Sequence, residues 1–362
     1  MTTLLKSIFN QFKVVSKFDR HVELNSGHIN DTYLIKTKSL PNYILQRVNG
    51  NVFKDAAALI TNKVLVSNFL QEQLIELPLV EIQRKVLSFV AVKNDDFFFK
   101  DAEGNYWNMT VFIEDSVTYE KTPNALIAFE AGKATGNFLA LTSGFDVSKL
   151  TTVLPDFHSV KSRFSQFNTA LSKASETRKE KGKELIFFVN ENIEEMFQLD
   201  NALEKKLLPL RVTHNDTKIS NILFTQEDKS LCLIDTDTVM EGLIHFDYGD
   251  AIRTICNTSD EDCSDVAAID FNLEYFKNYT NGFFQEIRAS ITKEEVEYLP
   301  ISIKILPFIM GLRFLTDFLN GDVYYKTNYA HHNLDRALNQ FTLVEKINTN
   351  YLEIKTFIKS KI

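Results

Sequence analysis

Three side chains in the segment VTHNDTKISNILFTQEDKSLCLIDTDTV (212–239) carry oxygen atoms of the kind a phosphoryl-transfer reaction needs. Asp216 can accept the proton of an attacking hydroxyl. Asn221, on the same short loop, can turn its amide oxygen to a magnesium ion, and Asp235 can add a carboxylate to that hard cation. Lys218 sits two residues after the proposed base, where its ammonium would face the charge that spreads over the transferred group. Any one of these residues alone reads better as a cap or turn former that bonds its own backbone. Their combination on one loop points to chemistry.

The elements around them must bring Asn221 and Asp235 together. A short apolar run, Ile222 to Phe224, is followed by a polar turn over Gln226 to Lys229 and a second apolar run, Leu231 to Ile234, that ends on Asp235. Two such runs split by a turn predict a β-hairpin, which returns Asp235 to the side of Asn221. The loop itself has the H-x-D-x-x-x-x-N spacing of phosphoryl-transfer catalytic loops. His214 is assigned to holding that loop through a backbone hydrogen bond.

Upstream, Val22 to Thr37 predicts strand, tight turn and strand, with Gly27 in the turn, either covering the phosphates of a nucleotide or forming a plain β-turn. Tyr43 to Val48 predicts the next strand, and Leu59, Val66, Leu70 and Leu74 share one face of a following helix. Strands are expected again at Lys85 to Val92, Phe97 to Lys100 and Asn108 to Glu114, giving a β-rich region with one main helix. The backbone at Phe112, Ile113 and Glu114 ends a buried strand in polar residues, as a hinge bonding an adenine edge would, or as an ordinary strand end would. Beyond Ser116 the pattern is mostly helical apart from the hairpin. The charged run from Ser175 to Glu184 predicts a solvated helix end or loop.

Composition narrows the function classes. With 362 residues and 44% hydrophobic content the chain can bury two cores, and two domains are expected, 1–115 and 116–362. A net charge of -8 gives no electrostatic footprint for nucleic acid. The three cysteines, Cys232, Cys256 and Cys263, form neither a disulfide framework nor a paired metal spacing, so a reducing cytoplasm is the expected setting. The N-terminus lacks the order of a signal peptide, and the apolar stretch Ile301 to Leu315 is interrupted by Lys304 and Arg313, so a soluble protein without a membrane partner is expected.

The segments SGHINDTYLI, NYILQRVNGNVF, VTHNDTKISNILF, CLIDTDTVMEGLIHFDYGDAIR and GLRFLTDFLNGDVYY together resemble the aminoglycoside phosphotransferase and choline kinase-like family, in particular its members that act on N-acetylhexosamines. The resemblance implies an α+β, protein-kinase-like bilobal fold, with a small β-rich N-terminal nucleotide-binding lobe and a larger helical catalytic lobe. It also implies ATP and Mg²⁺, with transfer of the γ-phosphate to the anomeric hydroxyl of N-acetylglucosamine or N-acetylgalactosamine.

Carried over residue by residue, Asp216 is the base and Lys218 its neighbour at the sugar, Asn221 and Asp235 hold metal and nucleotide, and His28, Arg313 and Tyr324 line the sugar pocket. Read from the residues alone, His28 caps its turn, Arg313 pairs with Asp317 one helical turn on, and Tyr324 is core. Asp247 and Asp250 are expected to brace the catalytic loop, with Arg253 as partner of Asp250.

Two positions depart from the family pattern. Gln46, followed by Arg47, stands where most kinases place a phosphate-binding lysine, and Thr254 stands where an aromatic residue is expected. Other acceptors within the family (an amino alcohol, homoserine or an aminoglycoside) and a catalytically inactive nucleotide-binding module remain alternatives. Basic residues around the acceptor favour a neutral, hydroxyl-rich molecule.

Overall fold

The computed structural model describes residues 1–24 and 29–361; Gly27 and His28 lie outside the described residues. Two compact units result, the first made of Met1–Thr118, Leu141–Pro155 and Asn221–Glu241, the second of Tyr119–Ala140, Asp156–Ser220 and Gly242–Ile362.

In the first unit, β1 (Phe18–Leu24), β2 (Asp31–Thr37), β3 (Tyr43–Arg47), β4 (Phe99–Lys100) and β5 (Tyr106–Val111) form an antiparallel sheet of order β1-β2-β3-β5-β4. Alternation sends Tyr33, Ile35, Tyr43, Leu45, Trp107 and Met109 to one face, where Leu5, Phe9 and Phe12 from α1 (Thr2–Phe9) and its C-terminal extension close the core. Gln46 points to the other side of the pleat from Leu45. α2 (Ala56–Gln73), capped by the Asp55 side chain on the Ala58 amide, packs Leu59, Ile60 and Val64 against Val48 and Phe53. α3 (Leu79–Lys85) follows.

The expected strand at Lys85 to Val92 is not a regular ladder. Its amide at Val90 bonds the Met109 carbonyl and its Ser88 carbonyl takes the Val111 amide, but Val92 turns away to bond Asp96, so only isolated bridges remain. The region also holds two helices besides the expected one.

A second, three-stranded sheet of order β6-β8-β9 joins β6 (Ser116–Val117), β8 (Ile222–Thr225) and β9 (Ser230–Leu233). This pairing draws the hairpin into the first unit, so a single cut after residue 115 does not describe the chain. Asn62 of α2 adds a second tie, donating to the carbonyls of Thr151 at 2.7 Å and Val239 at 3.0 Å.

The second unit is helical: α4 (Ala125–Leu141), α5 (Val160–Lys173), α6 (Glu176–Lys181), α7 (Lys183–Met196), α8 (Gln198–Glu204), the short β7 (Arg211–Thr213), α9 (Ile244–Ile255), α10 (Leu273–Ile287), α11 (Lys293–Asn320), α12 (His332–Thr349) and α13 (Tyr351–Lys359). α11 is its spine. Thr292 and Glu295 form a reciprocal capping box at its start, Arg211 clamps Glu295, and Gly321 ends it with φ 101°, a backbone conformation that suits glycine. By length and composition α11 could cross a membrane, yet 83% of its apolar window is buried inside the protein, which marks it as a core helix. α9 lies so close to it that a Cβ on Gly249 would sit 2.6 Å from the Ser302 carbonyl oxygen. The charged run after Ser175 is helix α6, and Arg178 within it pairs with Asp322 at 2.7 Å.

Candidate active site

The hairpin delivers the two expected metal ligands to one end. Ile222 pairs with Leu233, and the Ile234 amide donates to the Asn221 carbonyl at 2.8 Å, so Asn221 just before β8 and Asp235 just after β9 sit side by side in register. Asp235 adopts left-handed backbone (φ 58°), which a short polar side chain tolerates and which lifts it out of the strand line. One carboxylate and one amide oxygen suit magnesium, an ion that keeps water and phosphate oxygens in its remaining positions. Among the described residues no three His, Cys, Asp or Glu side chains converge as a protein-only metal cage would require.

Two residues after Asp235, Asp237 does different work. Its Oδ1 receives the Lys63 ammonium from α2, and its Oδ2 accepts from Asn30 and, at 3.3 Å, from Gln46 Nε2. Lys63 also donates to Gln46 Oε1 at 2.9 Å, an oxygen that Asn108 bonds at 3.2 Å. The Lys63 and Asp237 side chains are 5% and 7% exposed. With its oxygens accepting from three donors, Asp237 serves as the counter-ion of Lys63.

At the hinge, the Phe112 amide donates to Asn42, the Ile113 carbonyl accepts from Ser116, and the Glu114 carbonyl and carboxylate are taken by Arg84 and Asn42. Among the described residues the Glu114 amide makes no hydrogen bond.

In the second unit the catalytic loop follows β7. Lys218 Nζ lies 3.2 Å from Asp216 Oδ2, and both side chains keep about a third of their surface exposed. Burial pushes the Asp216 carboxyl up, but Lys218, with His214 and Arg253 behind it, more than reverses this and holds it below the usual carboxylate range. Asp216 is therefore ionised and able to accept a proton.

The loop is braced from beneath. Asp247 of α9 takes the amides of His214 at 2.9 Å and Asn215 at 2.7 Å, and its carbonyl accepts from the Thr217 hydroxyl. Asn215 itself has φ 64°, and its carbonyl accepts a proton from His158 Nε2 at 3.1 Å. The ring of His158 is thus the Nε2-H tautomer, and burial holds its pKa down at about 3. His158 gave no signal in the sequence. The bond expected of His214 is made by its backbone amide, while its ring lies edge-on to Phe138. Asp250 pairs with Arg253 as expected, at 2.8 Å. Thr254 replaces an aromatic face with a hydroxyl that receives the Ile219 amide at 3.4 Å, a second tie on the loop.

A sequence profile of the phosphotransferase enzyme family matches residues 21–279. The chain belongs to that family. An ethanolamine kinase of Drosophila melanogaster is 27% identical over 110 residues, a match spanning 30% of this chain and 21% of that protein. Among solved structures, an aminoglycoside phosphotransferase from Alicyclobacillus acidocaldarius superposes with a TM-score of 0.60 at 14% identity, covering 98% of this chain and 96% of the other. An amicoumacin kinase in complex with AMP-PNP, Ca²⁺ and Ami gives 0.60 at 13% identity over 96% of this chain and 93% of the other. The fold is accordingly the kinase-like α+β fold of this family, with its β-sheet in the N-terminal region and its helices in the C-terminal part.

The acceptor-side residues of this phosphotransferase are described in part. His28 and Gly27 lie outside the described residues. Arg313 does not pair with Asp317. That carboxylate instead accepts the amides of Val323, Tyr324 and Tyr325 and the side chain of Asn333. Tyr324 is 62% exposed and so is not core. The Arg313 guanidinium lies over the Phe157 and Tyr325 rings, at 5.4 and 5.7 Å.

A second arginine stands beside it. Arg163 of α5 donates to the Phe157 carbonyl and to Gln166, and burial followed by the like charge of Arg313 lowers its pKa to about 10. Among the described residues neither arginine has an ion-pair partner, and the buried Tyr325 hydroxyl has no hydrogen-bond partner. His158 feels the charges of both Arg313 and Asp216, so these polar groups lie near the base. Arg163 was silent in the sequence because its helix is solvated and charged.

Proposed function

We propose that this phosphotransferase is an N-acetylhexosamine 1-kinase, moving the γ-phosphate of ATP to the anomeric hydroxyl of N-acetylglucosamine or N-acetylgalactosamine. Asp216 accepts the proton of that hydroxyl and Lys218 faces the charge on the transferred group. Asn221 and Asp235 would hold magnesium, which neutralises phosphate charge when bound. The observation that carries the acceptor assignment is the pair Arg163 and Arg313 near the base, without ion-pair partners among the described residues. Two uncompensated cations repel an amino alcohol or an aminoglycoside, whereas guanidinium donors and the Tyr325 hydroxyl bond carbonyl and hydroxyl oxygens well. A reducing cytoplasmic setting, with all three cysteines free, belongs to the same proposal.

The test is ATP consumption with magnesium against N-acetylglucosamine, N-acetylgalactosamine, their unacetylated forms, choline, ethanolamine, homoserine and an aminoglycoside, with product position read by phosphorus NMR. An acid-labile sugar 1-phosphate formed from the acetylated sugars alone supports the reading. Turnover confined to an amine overturns the acceptor, and no turnover at all returns the chain to a nucleotide-binding module.

A further inference from the structure

We propose that Lys63 is the phosphate anchor of this chain, an ammonium delivered by helix α2 in place of the strand lysine whose position Gln46 occupies. The proposal concerns the nucleotide alone and rests on the kinase reading only to the extent that ATP is the donor.

Four observations carry it. Gln46 faces away from the sheet core, on the side where α2 packs, so a lysine there and a lysine on α2 can reach the same space from opposite directions. Lys63 Nζ touches the Gln46 amide oxygen at 2.9 Å and so occupies the point a strand lysine would approach. Its counter-ion is Asp237, and two residues of chain hold Asp237 within about 7 Å of the Asp235 backbone, so the ammonium lies close to the candidate magnesium ligand. An ammonium has three donors, and among the described residues two make hydrogen bonds, to Gln46 and Asp237, with the Phe89 ring 5.8 Å from the nitrogen.

A buried ion pair kept for stability alone gains little over well-packed apolar side chains. This pair instead has a carboxylate that accepts from three donors, while one N–H of the cation makes no hydrogen bond among the described residues. Gln46 and Asp237 fix the direction of the Lys63 stem, and the remaining N–H is available to a phosphate oxygen, for which a point charge without bidentate geometry suffices.

The experiment titrates the purified chain with ADP plus magnesium and, separately, with adenosine, in wild type, Lys63→Met and the double variant Lys63→Met/Gln46→Lys, with thermal melting alongside. Adenosine lacks phosphates, so it reports any general damage to the site. Loss of one charge-assisted hydrogen bond predicts ADP affinity about ten- to a hundredfold weaker in Lys63→Met with adenosine affinity unchanged. The double variant, with the ammonium moved to the strand, recovers most of the ADP affinity.

Equal weakening of ADP and adenosine, or unchanged ADP affinity, overturns the proposal. Should Lys63→Met fail to fold, Lys63→Gln keeps hydrogen bonds to Asp237 and Gln46 without the charge and is read in the same way. A wild-type chain that takes ADP but phosphorylates no sugar overturns the acceptor assignment and leaves the Lys63 result standing; one that takes no ADP overturns both.

Discussion

The polar groups of the first unit and those of the second are finished to different degrees. Around Asp237 the carboxylate accepts from three donors and the side chains are nearly sealed from water. Around Arg313, among the described residues, two guanidinium groups have no ion-pair partner and a buried tyrosine hydroxyl has no hydrogen-bond partner. Polar groups that are largely paired before any ligand arrives cost little to reorganise. On the proposed function, the open donors of the second unit are left for the acceptor to complete, and their charge selects it.

The largest test of this contrast separates chemistry from binding. Asp216→Ala is expected to lower turnover by about 10²–10⁴ with nucleotide affinity nearly intact, as befits a positioned base. Stopped-flow turnover beside ADP titration checks it, and unchanged turnover would remove Asp216 from the mechanism. Asp235→Ala is expected to abolish the magnesium dependence of ADP binding. Survival of that dependence would mean that another carboxylate, such as Asp237, holds the ion.

Next in size, Arg163→Leu is expected to raise the KM for the sugar about tenfold, the worth of one hydrogen bond to a charged donor, while ADP affinity stays put. A drop in kcat without change in KM would assign Arg163 to bracing and not to recognition.

The smallest effect sharpens how the catalytic loop is held. His158 has its pKa lowered to about 3 and His245 to about 4, so between those values and 6.5 the unfolded chain binds more protons there and stability falls as the solution is acidified. Asp247, raised by burial to about 7, acts in the opposite sense: its folded form keeps a proton that the unfolded carboxyl sheds above about 4, so its share of stability is lost as pH rises through 7. His158→Gln should therefore reduce the acid-side slope by about 1.4 kcal/mol per pH unit, and Asp247→Asn should steepen it by a similar amount. Urea denaturation from pH 4.5 to 6.5 measures both, and parallel slopes in all three proteins would sink the assignment.

The hairpin was legible because its register follows from two apolar runs and one polar turn, and with it the neighbourhood of Asn221 and Asp235. The bracing role of Asp247 and the pairing of Asp250 with Arg253 were legible too. Lys63 had a signal that went unused: it falls on the stripe of Leu59, Val66 and Leu70, where a lysine on an apolar face calls for a buried partner. That partner, Asp237, is 174 residues away in the chain, a pairing that periodicity does not reveal. Arg163 and His158 are polar residues whose meaning comes only from packing. The pairing of Lys85 to Val92 failed for a local reason, since Val92 leaves the ladder to close a turn on Asp96.

The Asp317 carboxylate, with three successive backbone amides and an asparagine gathered on it, fixes the segment that carries Tyr324 to the helix that carries Arg313. The conformational entropy of that segment is lost when the chain folds and not when an acceptor arrives. Acceptor binding should then show a heat-capacity change no larger than its own buried surface demands, and exchange of the residues beyond Gly321 should alter selectivity without loosening the site, so long as Asp317 is kept.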